Sequence, residues 1–247
     1  MQPEAYTYAL PLSLGGKNYR RYGFHGLSHR YVNELITELY GSQSGRRITA
    51  HLGNGCSITA IKDGNVIDTS MGYSPLEGLV SGSREPLHDA GLVLALAKEH
   101  GPDAVLNMLW KQSGLLGLTG SNDMRDVFRM ADRQDEAGER ARLALEVYAI
   151  RVKKYIGAYA FELGGVDTIV FTAGVGENSA IMRAMILHGL EPFGIHLDAA
   201  ANQKANGGCP EIVRPMLISN NPVKVYAVRT DEEKVIARDT YNLLKAI

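Results

Sequence analysis

The chain has 247 residues, 45% hydrophobic and 21% charged, a balance that excludes disorder and fibrous repeats and suffices for one large core or two small ones. Its 26 Lys and Arg against 27 Asp and Glu leave a net charge of −1, so no charge excess draws it to nucleic acid or to an anionic membrane surface. Cys56 and Cys209 form neither a CxxC pair nor a disulfide framework, the first residues do not read as a basic patch followed by an apolar stretch, and no apolar run of about 18 residues occurs, so the expectation is a cytoplasmic chain without a membrane segment.

Residues 1–22 read as an irregular entry rich in Tyr, Pro and Gly. Ser28 to Tyr40 has helical spacing of Tyr31, Leu35, Ile36 and Leu39, with Gly41 as its stop. Arg47–Leu52 and Cys56–Lys62 read as strands around Gly53-Asn54-Gly55, and Asp63-Gly64-Asn65 turns the chain into a third strand, Val66–Thr69, completing an antiparallel meander. A loop over 70–91, rich in Gly, Ser and Pro, leads to helices around Gly91–His100 and Asp103–Lys111. Glu136 to Leu163 is predicted to be a central scaffold helix, because Ala141, Leu145, Tyr148, Val152, Ile156, Tyr159 and Leu163 recur at three- and four-residue steps before Gly164-Gly165.

Asp167–Thr172 is a short apolar run of buried-strand type. It enters a glycine turn, Gly174-Val175-Gly176-Glu177-Asn178, that opens a further helix. The tail repeats the pattern with strand Lys224–Val228 and a helix capped by Thr230 and Glu233 that runs to Leu244. Strands in a meander and then alternating with helices predict one α/β domain over 1–247, a mixed sheet flanked by helices.

Several clusters suit anion chemistry, each with a plainer alternative. Gly174–Asn178 places backbone N–H groups after a buried strand, which suits a phosphate or a nucleotide edge and equally an ordinary turn. His51-Leu52-Gly53-Asn54-Gly55 carries the Asn-Gly of a hairpin, with a second glycine that opens the backbone to a phosphate. His25 and His29 open a helix with Arg30, where an imidazole donor can face an oxyanion; the absence of nearby carboxylates or thiols disfavours a metal. Arg84 lies in a flexible Ser-Gly-Ser loop where a guanidinium can clamp a phosphoryl group or remain solvated. Asp123-Met124-Arg125 reads as a site edge or a helix start, and Glu232 with Glu233 as Mg²⁺ ligands or first-turn acids.

Taken in order, YALP at 8–11, YGFHGLSHRYV at 22–32, AHLGNGCSITAI at 50–61, TSMGYSPLEGL at 69–79, SNDMRD at 121–126, VFTAGVGENS at 170–179 and TDEEKVIARDT at 230–240 closely resemble the acetate kinase family, which includes propionate and butyrate kinases. FHGLSHR and HLGNG fit these acyl kinases better than sugar kinases or chaperones. The resemblance implies the RNase-H-like fold of the actin, Hsp70 and sugar-kinase superfamily. It also implies that this chain matches the C-terminal nucleotide-binding and dimerisation domain of such enzymes, whose N-terminal half supplies a catalytic Asp and a substrate-binding Arg and is needed for activity.

By the same resemblance, His25 and Arg84 stabilise the transferring phosphoryl group. His51, Leu52, Gly53, Asn54 and Gly55 contact the ATP phosphates, with Asn54 closest to the chemistry. Asp123, Met124 and Arg125 border the adenosine, and Gly174, Val175, Gly176, Glu177 and Asn178 form the other nucleotide wall. Phe24 and Pro75 line the acyl pocket, and Glu232 holds Mg²⁺. The implied activity is phosphoryl transfer between ATP and a short-chain carboxylate, giving ADP and an acyl phosphate, in a homodimer; the alternative is a non-catalytic nucleotide-binding or scaffold remnant. One departure stands out: the family follows its arginine with Gly and an acidic-Pro element, whereas this chain continues Glu85-Pro86-Leu87-His88-Asp89-Ala90-Gly91, which is expected to disturb the aim of Arg84.

Overall fold

The computed structural model describes residues 1–14, 19–40, 45–86, 89–206, 216–220 and 222–246. Gly41, Leu87, His88 and Cys209, named above, lie outside the described residues. After a single turn α1 (Pro3–Tyr6) comes α2 (Gly26–Tyr40), which buries Tyr31, Val32, Leu35 and Ile36 and leaves Leu39 exposed. The meander follows as β1 (Arg46–Leu52), β2 (Cys56–Lys62) and β3 (Asn65–Thr69). Arg46 opposes Lys62 and Leu52 opposes Cys56 across the first hairpin. Asp63 and Gly64 turn the second with φ of 49° and 80°, the paired positive values that a tight hairpin turn requires.

Helices α3 (Ala90–His100) and α4 (Pro102–Lys111) pack on each other and are followed by α5 (Gly114–Thr119) and α6 (Met124–Ala131). The 27-residue α7 (Glu136–Glu162) is capped by Asp135, whose carboxylate accepts from the Gly138 N–H, and all the periodic positions read from sequence are buried. Then come β4 (Thr168–Thr172), α8 (Ala173–Asn178), α9 (Ala180–Leu187), α10 (Ala199–Lys204), β5 (Met216–Asn220), β6 (Lys224–Ala227) and α11 (Glu232–Lys245).

The six strands form one mixed sheet in the order β3-β2-β1-β4-β6-β5, with β1, β4 and β6 parallel and the other pairs antiparallel. β4 alternates its two faces: Ile169 and Phe171 join the core under α7, while Val170 meets Tyr31, Leu35 and Ile36 of α2 and Val235 of α11. Helices thus cover both faces of the sheet, the arrangement of the actin and sugar-kinase superfamily, and the ends of β1 and β4 open between them. The thiol of Cys56 is free and buried, with its pKa pushed up to about 11 by burial.

Two local expectations need correction. Residues 174–178 are not an open turn: α8 begins directly at Ala173, whose φ of 64° makes the bend without a glycine. Nor does Thr230 cap α11. Asp231 does, accepting from the Lys234 N–H at 3.0 Å, which frees the Thr230 hydroxyl to donate to Ser28 at 2.9 Å.

Candidate nucleotide and phosphoryl site

Three loops converge at the C-terminal ends of β1 and β4. In the β1–β2 turn the Gly53 N–H donates to the Gly55 carbonyl at 3.2 Å, and the Asn54 carbonyl accepts from the Gly82 N–H at 2.8 Å. A methyl group at Gly82 would lie 2.0 Å from Asn54 Oδ1, so the two loops touch backbone to side chain, and any side chain there would displace the Asn54 amide. A methyl at Gly55 would lie 3.2 Å from His25 Nε2 and 3.4 Å from a terminal nitrogen of Arg84. One point thus has an imidazole, a guanidinium and bare backbone around it.

The Arg84 loop is clamped, contrary to its flexible reading. Leu115 and Leu116 of α5 donate backbone N–H bonds to the Ser81 and Gly82 carbonyls at 3.1 and 2.9 Å, Ser113 donates to Ser83 at 3.0 Å, and Glu85 donates to Leu109 at 3.2 Å. Gly114, at φ 63°, permits the close approach: a methyl there would sit 2.3 Å from the Ser81 carbonyl oxygen. Pro86 is buried and its carbonyl accepts from Gly78 at 3.2 Å, so the departure at Glu85-Pro86 is tied into the same packing. The half-buried guanidinium of Arg84 makes no hydrogen bond or ion pair among the described residues.

His25 precedes α2 with φ 58°, a left-handed value that is uncommon outside glycine, and its carbonyl accepts from His29 N at 3.0 Å. Its ring stacks on His51 at 4.1 Å and 18°. Burial, and then the Arg84 charge, hold His25 below the ordinary histidine range; burial and His25 hold His51 down to about 3. Both rings are neutral at physiological pH, and the positive charge at this point comes from Arg84.

Beside these groups lies a cavity of about 790 Å³, within the range of ligand sites. Gly53, Asn54 and Gly82 form its inner end. Asp123, Met124, Arg125 and Phe128 form one wall, and Gly174, Val175 and Asn178 the other. Asp123 lines the cavity and also caps α6, accepting from the Arg125 N–H at 2.8 Å, while the Arg125 guanidinium at 2.5 Å holds its carboxyl at about 2.

A match to the acetokinase family model runs over residues 1–238. The chain belongs to the acetokinase family. Among its relatives, acetate kinase of Bacillus cytotoxicus is 45% identical over 98% of this chain and 61% of its own length, and acetate kinase of Bacillus subtilis is 46% identical over 99% and 62%. The crystal structure of Porphyromonas gingivalis acetate kinase superposes with a TM-score of 0.91 at 42% identity, covering 99% of this chain and 61% of that one. A propionate kinase from Francisella tularensis gives 0.86 at 40%, covering 96% and 60%. The chain thus spans about three fifths of the length of these relatives.

Not every position singled out in the sequence faces the cavity. Leu52 is fully buried in the core, so its side chain packs and only its backbone reaches the turn. Gly176 is also turned inward: a methyl there would meet the Phe171 carbonyl carbon at 3.3 Å. The Glu177 carboxylate accepts from Ala173 N at 2.9 Å and Thr230 N at 3.1 Å, pinning α8 to the α11 approach, and burial raises its pKa. Phe24 borders a separate cavity of about 870 Å³ beside α2 and the β2–β3 hairpin, and Pro75 lines neither of these two cavities.

Glu232 lies in the first turn of α11, half-buried, with no hydrogen bond or ion pair to a described residue. No group of three or more His, Cys, Asp or Glu gathers as a metal cage among the described residues. One free carboxylate fits Mg²⁺, which is held by one or two carboxylates together with phosphate oxygens and waters.

Arg183 escaped sequence reading. It is fully buried, donates to the Gly176 and Glu177 carbonyls at 2.7 and 2.9 Å and to Asn202 at 2.8 Å, and is pushed down to about 10 by burial. It ties off the end of α8, the helix whose other face is the cavity wall. Its only trace in the sequence is a lone charge within the apolar run AIMRAMIL.

Proposed function

We propose that this chain forms the nucleotide and phosphoryl wall of a carboxylate phosphotransferase that interconverts ATP and a short-chain carboxylate such as acetate or propionate with ADP and an acyl phosphate. The observation that carries this reading is the half-buried, unpaired Arg84 guanidinium, which meets His25 at Gly55, in the turn whose Gly53 and Asn54 line a cavity large enough for a nucleoside. The adenosine lies between the Asp123–Arg125 and Gly174–Asn178 walls. The phosphates run along the Gly53–Gly55 backbone, with Asn54 at their end.

Phosphoryl transfer demands positioning and charge neutralisation more than covalent chemistry from the protein. Arg84 supplies a charged fork to the equatorial oxygens, and His25 a fixed imidazole on the same side. Mg²⁺, when bound, neutralises phosphate charge, and Glu232 is the residue that would hold it. The acyl acceptor approaches from the Phe24 side. Family membership supports ATP, ADP and the carboxylate as partners, and α3, which has no buried residue and exposes Leu92 and Leu94, supports a homodimer. A location in the cytoplasm remains the expected one; no described helix is long and apolar enough to cross a membrane.

The test is to join this chain to the part of the Bacillus subtilis relative that it does not match, and to follow ATP formation from Mg-ADP and acetyl phosphate. Turnover that Arg84→Ala lowers by at least a hundredfold is expected, about 2.7 kcal/mol of transition-state stabilisation. A folded chimera with no turnover, or one indifferent to Arg84, contradicts the reading.

A further inference from the structure

Behind His25 a line of side-chain hydrogen bonds runs into the protein. His25 Nδ1 is 2.8 Å from Ser57 Oγ, Ser57 Oγ is 2.7 Å from His29 Nε2, and His29 Nδ1 is 2.7 Å from Thr49 Oγ1. His29 is 4% exposed, and Ser57 and Thr49 are fully buried. Neither hydroxyl makes another hydrogen bond among the described residues. Burial, with the neighbouring histidines, pushes His29 well below the ordinary histidine range, so its ring carries one proton.

A neutral imidazole donates from one nitrogen and accepts at the other, and each hydroxyl has one proton to give. Suppose Thr49 donates to His29 Nδ1. Then His29 donates from Nε2 to Ser57, Ser57 donates to His25 Nδ1, and the His25 proton sits on Nε2. Every buried proton then has an acceptor. Reversing the line makes Thr49 an acceptor and leaves its hydroxyl proton with none among the described residues. If both rings donate to Ser57, the Ser57 proton is orphaned instead. Unsatisfied buried donors are costly, so the first arrangement is favoured.

We infer that Thr49, His29 and Ser57 form a directional hydrogen-bond chain that fixes His25 as its Nε2–H tautomer, which makes all three positioning residues for a histidine that donates towards the Gly55 and Arg84 end of the cleft. That the acceptor is a phosphoryl oxygen rests on the function proposed above; the tautomer does not. His25 then adds a hydrogen bond without acting as a base, and its direction is set by a threonine three side chains away.

Long-range proton–nitrogen NMR of the [15N]histidine-labelled chain, above the ordinary histidine pKa and without nucleotide, reads the tautomers directly. His25 is assigned by the signals lost in His25→Gln. A protonated, pyrrole-type Nε2 and a pyridine-type Nδ1 are expected for His25 and for His29. Ser57→Ala is expected to turn the His25 pattern into a mixture of tautomers, and Ser57→Thr, which keeps a hydroxyl, to restore it. A proton on Nδ1 of His25 in the unsubstituted chain overturns the inference, as does an unchanged His25 pattern in folded Ser57→Ala. If the Nε2–H pattern is present but Mg-ATP leaves its signals unmoved, the chain of bonds stands and the functional reading fails.

Discussion

Arg84 is held where a guanidinium gains little from the protein around it. It is half-buried with no carboxylate or carbonyl partner, so its removal is expected to leave the unliganded fold as stable as before, or slightly more so. Ligand binding should respond in the opposite direction. A hydrogen bond to a charged group contributes about 1.5–3 kcal/mol, so Arg84→Gln is expected to weaken Mg-ATP by roughly tenfold or more while thermal unfolding is unchanged. Calorimetry beside a melting curve separates the two; equal affinity in the variant would remove Arg84 from the phosphate site.

His29 gives the fold a pH dependence whose sign follows from its lowered pKa. Above the unfolded value near 6.5 neither state binds a proton there, and stability is full. Below it the unfolded chain takes up the proton and the folded chain does not, so stability falls as pH falls, by up to about 1.4 kcal/mol per pH unit from this group. His51, held at about 3, acts in the same direction. Urea midpoints should therefore drop from pH 7 to pH 5, and His29→Gln, if folded, should flatten the drop; a midpoint that rises on acidification would contradict the buried neutral histidines.

At the scale of elements, the clamp between α5 and the Arg84 loop has one weak point. Gly114→Ala places a methyl 2.3 Å from the Ser81 carbonyl oxygen and 2.8 Å from the Arg84 backbone nitrogen and oxygen, at φ 63°. The loop must move or the helix must shift, so a loss of about 1–3 kcal/mol is expected from the backbone alone, together with weaker nucleotide binding. α8 depends similarly on Arg183. Arg183→Met leaves the Gly176 and Glu177 carbonyls without their donor and is expected to cost about 3 kcal/mol or more. Denaturant titration checks both.

The elements with strong periodicity were legible in the sequence: α7 from its apolar face, the hairpins from Asn-Gly and Asp-Gly. Those decided by distant partners were not. Ala173 takes a left-handed conformation because its N–H reaches Glu177, a bond closed only once α8 has formed. Thr230 has capping-box spacing, yet it is drawn to Ser28 on α2, some two hundred residues earlier. β5 was not foreseen, because its register depends on β6 as a template and breaks between Leu217 and Ser219. Within the site, the motif positions Gly53, Asn54, Asp123 and Gly174 line the cavity. Leu52, Gly176 and Glu177 share those motifs but serve the scaffold, because strand and helix alternation points them the other way.

For the whole molecule, the mixed sheet brings the ends of β1 and β4 together so that loops far apart in sequence share one cleft. α3 and α4 stand beside it as a hairpin, α3 exposing Leu94 at 69% and Leu92 at 53%. If this face joins two copies, Leu94→Glu should convert a dimer to a monomer in sedimentation without altering nucleotide affinity; a chain that sediments as a monomer before substitution would refute the homodimer.

The most direct test of the nucleotide wall is calorimetric titration of the chain with Mg-ADP, repeated on Gly174→Trp. Gly174 lines the cavity, and a Cβ added there meets no atom within 4 Å, so a larger side chain starts without a clash and is directed at the proposed adenosine space. Saturable binding by the unsubstituted chain that disappears in a stably folded Gly174→Trp is the predicted result. Equal binding by both would contradict this placement of the nucleotide, and binding by neither would contradict a preformed site.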